Sequence, residues 1–449
     1  MSTTKKIYSK RCWLGGKLQP ATVCYEKGII TEIQHHKTDG AEDAGNLILM
    51  PGIIDAHVHI NEPGRTEWEG FDTATQAAAA GGVTTIIDMP LNSIPVTTTA
   101  NAFAEKLAVS KNKLHVNVGF YGGLIPGNAK YPVDKNEFEG LLQSGVLGIK
   151  CFLTHSGIEE FPNVGKKEIA MAMPVIAKHG LPLLAHCEMY KKEVNNQFSD
   201  FPGSYRYYLA SRPKQWENDA VELMIQLCRK HNCKTHIVHV SSAEVLIKIQ
   251  QAKEEGLPIT AETCAHYIYF NAEDIPDSNS LYKCAPPIRE KDNNDQLKEA
   301  LLTGVLDFIT TDHSPAPPAI KELESGNLQK AWGGIAGLQF LLPASWTAMK
   351  EKISIEKFIP LLTEHPASFL QVNNRKGKLQ AGYDADLVLW NPEEKFEVKA
   401  ADILHRYDCS PYCGKNLSGT VAQTIVNGIT VYQYKKIINQ NAGQWLLKK

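Results

Sequence analysis

The sequence has no run of about 20 uninterrupted apolar residues, the length a helix needs to cross a bilayer, so a membrane-spanning helix is excluded. It has no excess of either charge. Lys and Arg number 47 against 49 Asp and Glu, a formal net charge of −2, with neither a basic patch nor an acidic tail. Nucleic acid is therefore excluded as the main partner. The ten cysteines are scattered, without the dense spacings of a disulfide framework, and the opening residues lack the apolar core of a signal peptide. Both features place the chain in the reducing cytosol, a cytoplasmic location. Cys409 and Cys413 read as half of a zinc site, but no second pair or flanking histidine completes it. No internal repeat and no low-complexity linker interrupts the chain. What remains, 449 residues with 43% hydrophobic and 21% charged, suits one large α/β domain with a small satellite.

Residues 1–50 alternate short β-rich runs with turn signals at Gly15-Gly16 and Lys27-Gly28, the texture of a small sheet. From Pro51 the pattern changes to apolar runs separated by helical stretches such as Ala100 to Ser110 and Asp219 to His231. The runs cover residues 53–59, 84–89, 115–121, 147–153, 182–188, 234–240, 258–264 and 305–312. Eight repeats of strand then helix predict a closed parallel (β/α)8 TIM barrel over residues 51–370, with a doubly wound open sheet as the alternative. Residues 371–449 return to strands and turns. The expected architecture pairs them with residues 1–50 in one small discontinuous β-sandwich beside the barrel.

Active sites of such barrels lie at the C-terminal ends of the strands, and here those ends are crowded with metal-ligand types. The first run ends Asp55-Ala-His57-Val-His59, and alternation along a strand sends His57 and His59 to the same side. Two satisfied polar side chains would give the same pattern. The fourth run carries Lys150 inside apolar sequence. A buried ammonium without a partner loses its proton, and the neutral amine can take up carbon dioxide as a carbamate, an anionic ligand for two ions. A salt-bridged or snorkelling lysine is the plain alternative. His186 closes the fifth run, His239 the sixth and Asp312 the eighth. Five of eight strands thus end in a metal-binding group. Four imidazoles, one carboxylate and one carbamate suit two divalent ions, zinc first, with iron, cobalt or manganese as alternatives. A hydroxide bridging two such ions is a nucleophile at neutral pH.

These residues stand in motifs that resemble the cyclic amidohydrolases of the amidohydrolase superfamily, the dihydroorotases, hydantoinases and allantoinases. The motifs are Pro51-Gly-Ile-Ile-Asp-Ala-His57-Val-His59, Gly148-Ile-Lys150-Cys-Phe, His186-Cys-Glu188, His239-Val-Ser-Ser and Thr311-Asp312-His-Ser-Pro. Within the group the sequence is most similar to allantoinases, through Asn61-Glu-Pro-Gly-Arg65, Met89-Pro-Leu-Asn92, Lys283-Cys-Ala-Pro-Pro-Ile-Arg289 and Ala331-Trp-Gly-Gly. The resemblance implies hydrolysis of the ring amide of allantoin to allantoate. It assigns His57 and His59 to one metal, His186 and His239 to the other, carboxylated Lys150 as the bridge, and Asp312 as ligand and proton shuttle. It implies a homo-oligomer, with a tetramer favoured. Hydantoinases carry a tyrosine where this chain has His155, which leaves open whether His155 assists the oxyanion. The backbone contact to the ring falls on Cys284. Dihydroorotases meet their substrate's carboxylate with an arginine and an asparagine at the positions of Asn61 and Leu91. Their absence argues against an anionic ring, and Asn61, Asn92 and Ser314 are expected to bind a neutral ureido arm. A dihydropyrimidinase, hydantoinase or dihydroorotase activity is the alternative within the group; a non-catalytic scaffold is the alternative outside it, set aside because all six ligand positions are filled.

Overall fold

Each of the eight apolar runs contains a parallel strand in the computed structural model, which describes residues 4–129, 135–190 and 197–448. The barrel strands are Ile53–Val58, Val83–Asp88, Asn117–Phe120, Ile149–Phe152, Leu183–His186, Thr235–Ile237, Ile259–Cys264 and Phe308–Thr310. The third strand continues past Phe120 as Gly122–Gly123, which pairs with Ile149 and Lys150 and so joins the third strand to the fourth. The ladder then runs in sequence order to the eighth strand. Closure falls between the eighth strand and the first, where Val58 bridges His313 and the His59 N–H donates to the His313 carbonyl at 2.8 Å. The chain therefore closes the expected TIM barrel. Helices Phe71–Ala80, Ala100–Ser110, Lys135–Gln143, Lys166–Lys178, Lys214–His231, Leu246–Glu254, Lys291–Thr303 and Leu341–Met349 follow the successive strands.

Alternation along the strands decides which side chains enter the barrel. In the fourth strand Ile149 and Cys151 belong to the core between strands and helices, whereas Lys150 turns to the interior. The same rule sends Asp55 and His57 inward from the first strand.

Strands from both ends of the chain form one nine-stranded sheet outside the barrel, eight of them in a continuous ladder and Glu42–Asp43 paired beside the first strand of the chain. The joint is an antiparallel pair between Ile48–Pro51 and Leu387–Glu397, with Leu389 opposite Leu49 and Trp390 opposite Ile48. Ile7, Val23, Ile30, Leu49, Leu387 and Ile425 share one apolar cluster across that joint. The last strand, Trp445–Leu446, leaves this sheet and pairs with Val118 and Gly119 of the third barrel strand.

Candidate metal centre and active-site cavity

At the C-terminal mouth of the barrel lies a cavity of about 320 Å³ whose lining includes His57, His59, Lys150, His186, His239 and Asp312. His57, His59 and Asp312 bring their donor atoms to one point: the Nε2 atoms of both histidines lie 3.2 Å from Asp312 Oδ1. Two donors each about 2.1 Å from one ion stand roughly 3.0–3.4 Å apart, so this spacing fits a shared metal. The second pair meets in the same way, with His186 Nδ1 3.0 Å from His239 Nε2. Lys150 lines the same cavity, fully buried, its Nζ without a hydrogen-bond partner among the described residues.

Local backbone geometry aims these groups. His239 and Asp312 have φ of 40° and 45°, the left-handed region that ordinary side chains rarely adopt. Each sits just past a short strand, where leaving the extended conformation turns the side chain over the barrel axis. Neighbouring groups hold the rings. His186 Nε2 is 2.9 Å from Glu188 Oε2, and Arg212 clamps the same carboxylate at 3.0 and 2.5 Å. The Phe152 ring stacks on His186 at 4.6 Å. His57 Nδ1 lies 2.5 Å from Glu262 Oε1, whose other oxygen is 3.2 Å from His236 Nε2. Glu262 was not among the residues singled out from sequence.

Burial sets the charge states of the site. It pulls His57 and His239 well below the ordinary histidine range, with the charge of Lys150 adding to the effect, so both rings are neutral, the ligand form. Lys150 is pulled down to about 8 by burial, against the opposing charges of Asp312 and Glu262. Burial pushes Asp312 up, but the His59 contact and the charges of His59 and Lys150 outweigh it and hold its carboxyl below the usual range.

The expected substrate contacts are divided. Asn92, His155 and Ser314 line the cavity; Asn61 and Cys284 are absent from its lining. Asn92 is buried, its Nδ2 3.5 Å from His59 Nδ1 and its Oδ1 without a partner among the described residues. The Ser314 hydroxyl donates to the Asp312 carbonyl at 2.9 Å and lies 3.2 Å from Oδ1. His155 is exposed at the rim, 3.3 Å from Glu159, and accepts the Gly157 N–H. Asn61 donates to the Pro315 carbonyl at 3.4 Å, and the Cys284 carbonyl accepts the Tyr208 hydroxyl at 2.6 Å. Leu91 is in the wall; Arg65 and Arg289 are not, being held by Glu160 and Glu217. Arg212 and Lys330, not singled out from sequence, also line the cavity, as do Lys283 and Trp332, which stand in the motifs quoted above without an assigned role.

Residues 48–431 match the family model described as Amidohydrolase family. The chain is 40% identical to an allantoinase of Arabidopsis thaliana over 95% of its own length and 87% of that protein. It is 37% identical to an allantoinase of Saccharomyces cerevisiae over 98% of both chains. Its fold is similar to that of an L-hydantoinase (dihydropyrimidinase) from Arthrobacter aurescens, with a TM-score of 0.92, 28% identity, and 99% and 100% of the two chains covered. The barrel, the convergent histidines and these likenesses agree: the chain belongs to the amidohydrolase family and is a cyclic amidohydrolase.

Proposed function

We propose that this enzyme hydrolyses the ring amide of allantoin to allantoate at a binuclear metal centre. The observation that carries the reading is the meeting of His57, His59 and Asp312 at one point in a cavity that also holds the His186–His239 pair and a buried Lys150 with no hydrogen-bond partner among the described residues. His57, His59 and Asp312 would hold one ion, His186 and His239 the other. When bound, two divalent ions supply a hydroxide nucleophile at neutral pH and polarise the scissile carbonyl. The donor set of imidazoles and carboxylate suits zinc, iron, cobalt or manganese. With its pKa drawn toward neutral, the buried Lys150 amine is suited to hold carbon dioxide as a carbamate, which would give the centre a second anionic oxygen ligand beside Asp312. The low pKa of Asp312 keeps it a carboxylate, able to take the proton released during attack and return it to the departing ring nitrogen.

The substrate reading rests on the cavity wall and on the allantoinase relatives. An anionic ring calls for an arginine free to make a bidentate contact. Among the described residues the one arginine in the lining, Arg212, is already engaged by Glu188, and Leu91 is apolar. Asn92 and Ser314 present polar atoms suited to a neutral ureido arm, with Asn61 one layer behind.

The test compares hydrolysis of allantoin, hydantoin and dihydroorotate with metal analysis of the same sample. The expected result is two divalent ions per chain and a kcat/KM for allantoin about tenfold or more above the other two, a difference of about 1.4 kcal/mol in transition-state binding. Dihydroorotate as the best substrate would overturn the assignment. Lys150→Ala is expected to lose metal and activity together, and full activity with full metal in that variant would remove the carbamate from the scheme.

A further inference from the structure

Part of the cavity wall is built from segments that carry no ligand to the metal centre: Ile320, Lys283 with Ala285, and Lys330–Gly333. None of them belongs to a barrel strand, and a single side chain gathers all three. Lys321 is 4% exposed, and its Nζ donates to the carbonyls of Lys283 at 3.3 Å, Trp332 at 3.1 Å and Gly334 at 2.8 Å. An ammonium has three protons, so these three acceptors use its whole donor capacity. Backbone bonds reinforce the same junction. The Gly334 N–H donates to the Lys283 carbonyl at 2.9 Å, and the Trp332 N–H to the Ile320 carbonyl at 2.9 Å. The Lys283 side chain crosses in the opposite direction, from Nζ to the Gln329 and Ala331 carbonyls at 3.4 and 2.5 Å.

Among the described residues neither lysine has a carboxylate partner. Burial without a counter-charge is expensive, and it draws Lys321 down to about 7. An apolar side chain would fill the same space without that cost, so the ammonium needs another account. The account is what it ties together: without it, three carbonyls beside the cavity lose their common donor. The junction is also close to the reacting groups. A Cβ at Gly334 would come within 2.3 Å of the Ser314 carbonyl, and the Ser314 N–H donates to the Ile335 carbonyl, so the wall stands in fixed register with Asp312 two residues away.

We propose that Lys321 is a positioning residue: its three hydrogen bonds clasp residues 283 and 332–334 into the rigid wall that receives the substituent of the cyclic substrate, while Lys321 itself touches neither substrate nor metal ligand. Only the identity of that substituent, the ureido arm, rests on the allantoin reading.

The test is Lys321→Met in the full, metal-loaded enzyme, read by amide hydrogen exchange over residues 331–334, metal content, and KM and kcat for allantoin. Exchange is expected to quicken about tenfold or more as the clasp opens. KM for allantoin is expected to rise about tenfold while kcat stays within about threefold and metal content is unchanged, since a wall that binds ground and transition states alike acts on KM. Unchanged exchange, unchanged KM, or a fall in kcat that tracks metal loss would each overturn the proposal. If Lys321→Met does not fold, Lys321→Gln, which keeps two of the three donors on a shorter side chain, is read in the same way, and unchanged exchange over 331–334 overturns the clasp. A wild type inactive on allantoin would sink the substrate reading, and the exchange result would still decide the clasp.

Discussion

His57 meets Glu262 through Nδ1 and the metal point through Nε2, and an imidazole arranged this way has its tautomer chosen by the carboxylate. With the proton on Nδ1, Nε2 keeps the lone pair that a metal needs. Glu262→Ala is therefore expected to weaken metal binding about 10–100-fold, measured by competition with a chelator, and Glu262→Gln, which keeps an acceptor for His57, to recover part of it. Equal metal affinity in all three proteins would show that packing alone orients His57. The five strand-end ligands and Lys150 were legible because each is a polar residue at a marked place in an apolar run. Glu262 carries the same mark, a lone carboxylate in Ile259–Cys264, but its partner His57 lies 205 residues away, and only closure of the barrel brings them together. Asn61 shows the reverse limit. Its motif was readable, yet its amide turns to the Pro315 carbonyl and away from the cavity lining, a choice of direction that residue type does not encode.

At the scale of the strand, seven of the eight apolar runs were longer than the strands they form, the run 84–89 being the exception. Residues 182–188 shrink to Leu183–His186 and 305–312 to Phe308–Thr310, each run losing residues at both ends; past the eighth strand Thr311 and Asp312 leave the ladder, and Asp312 turns to the metal point. Periodicity therefore located all eight strands and blurred their ends. Helix Ala100–Ser110 matched its pattern, while the helix expected from Asp219 begins at Lys214, where Pro213 supplies an extended N-cap. The seam between first and eighth strands was not readable, since its backbone bonds and the Asp55 contacts that support it join residues some 256 positions apart. Asp55 accepts the N–H groups of His57 at 3.1 Å and Thr311 at 3.3 Å, and also the Thr311 hydroxyl. Removing that hydroxyl leaves part of a buried carboxylate unsatisfied. Thr311→Val is expected to cost about 1–3 kcal/mol, read as a shift in the denaturant midpoint, and to reduce metal content because the seam carries both His57 and Asp312. An unchanged midpoint would show that the backbone bonds alone close the barrel.

At the scale of the whole chain, the terminal strands were legible as strands, but their partners were not, since pairing between residues 340 positions apart leaves no local trace. Residues 48–51 precede the first barrel strand directly and bond to residues 387–390, so the outer sheet is anchored to the barrel at the start of the ligand-bearing strand. The final segment is different. It pairs with Val118 and Gly119, and the Gly443 N–H donates to the Leu114 carbonyl at 2.9 Å. Trp445 Nε1 donates to the Ser110 hydroxyl at 2.9 Å, and Lys448 reaches the His179 carbonyl. Gly443 is required there, because a Cβ would lie 2.0 Å from the Val116 carbonyl. Leu114 and Val116 precede the third strand and His179 precedes the fifth, so the contacts fall at the N-terminal face of the barrel, opposite the catalytic mouth. In this architecture that face serves stability and the other serves chemistry. Deleting residues 441–449 should therefore lower the thermal midpoint by uncovering Leu114, Val118 and the third-strand ladder, and leave KM and metal content of the folded enzyme near wild type. Gly443→Val should give a milder form of the same result. A truncated enzyme of unchanged midpoint would show that the last strand adds nothing to the barrel, and one that folds normally but binds allantoin poorly would show that the two faces are coupled.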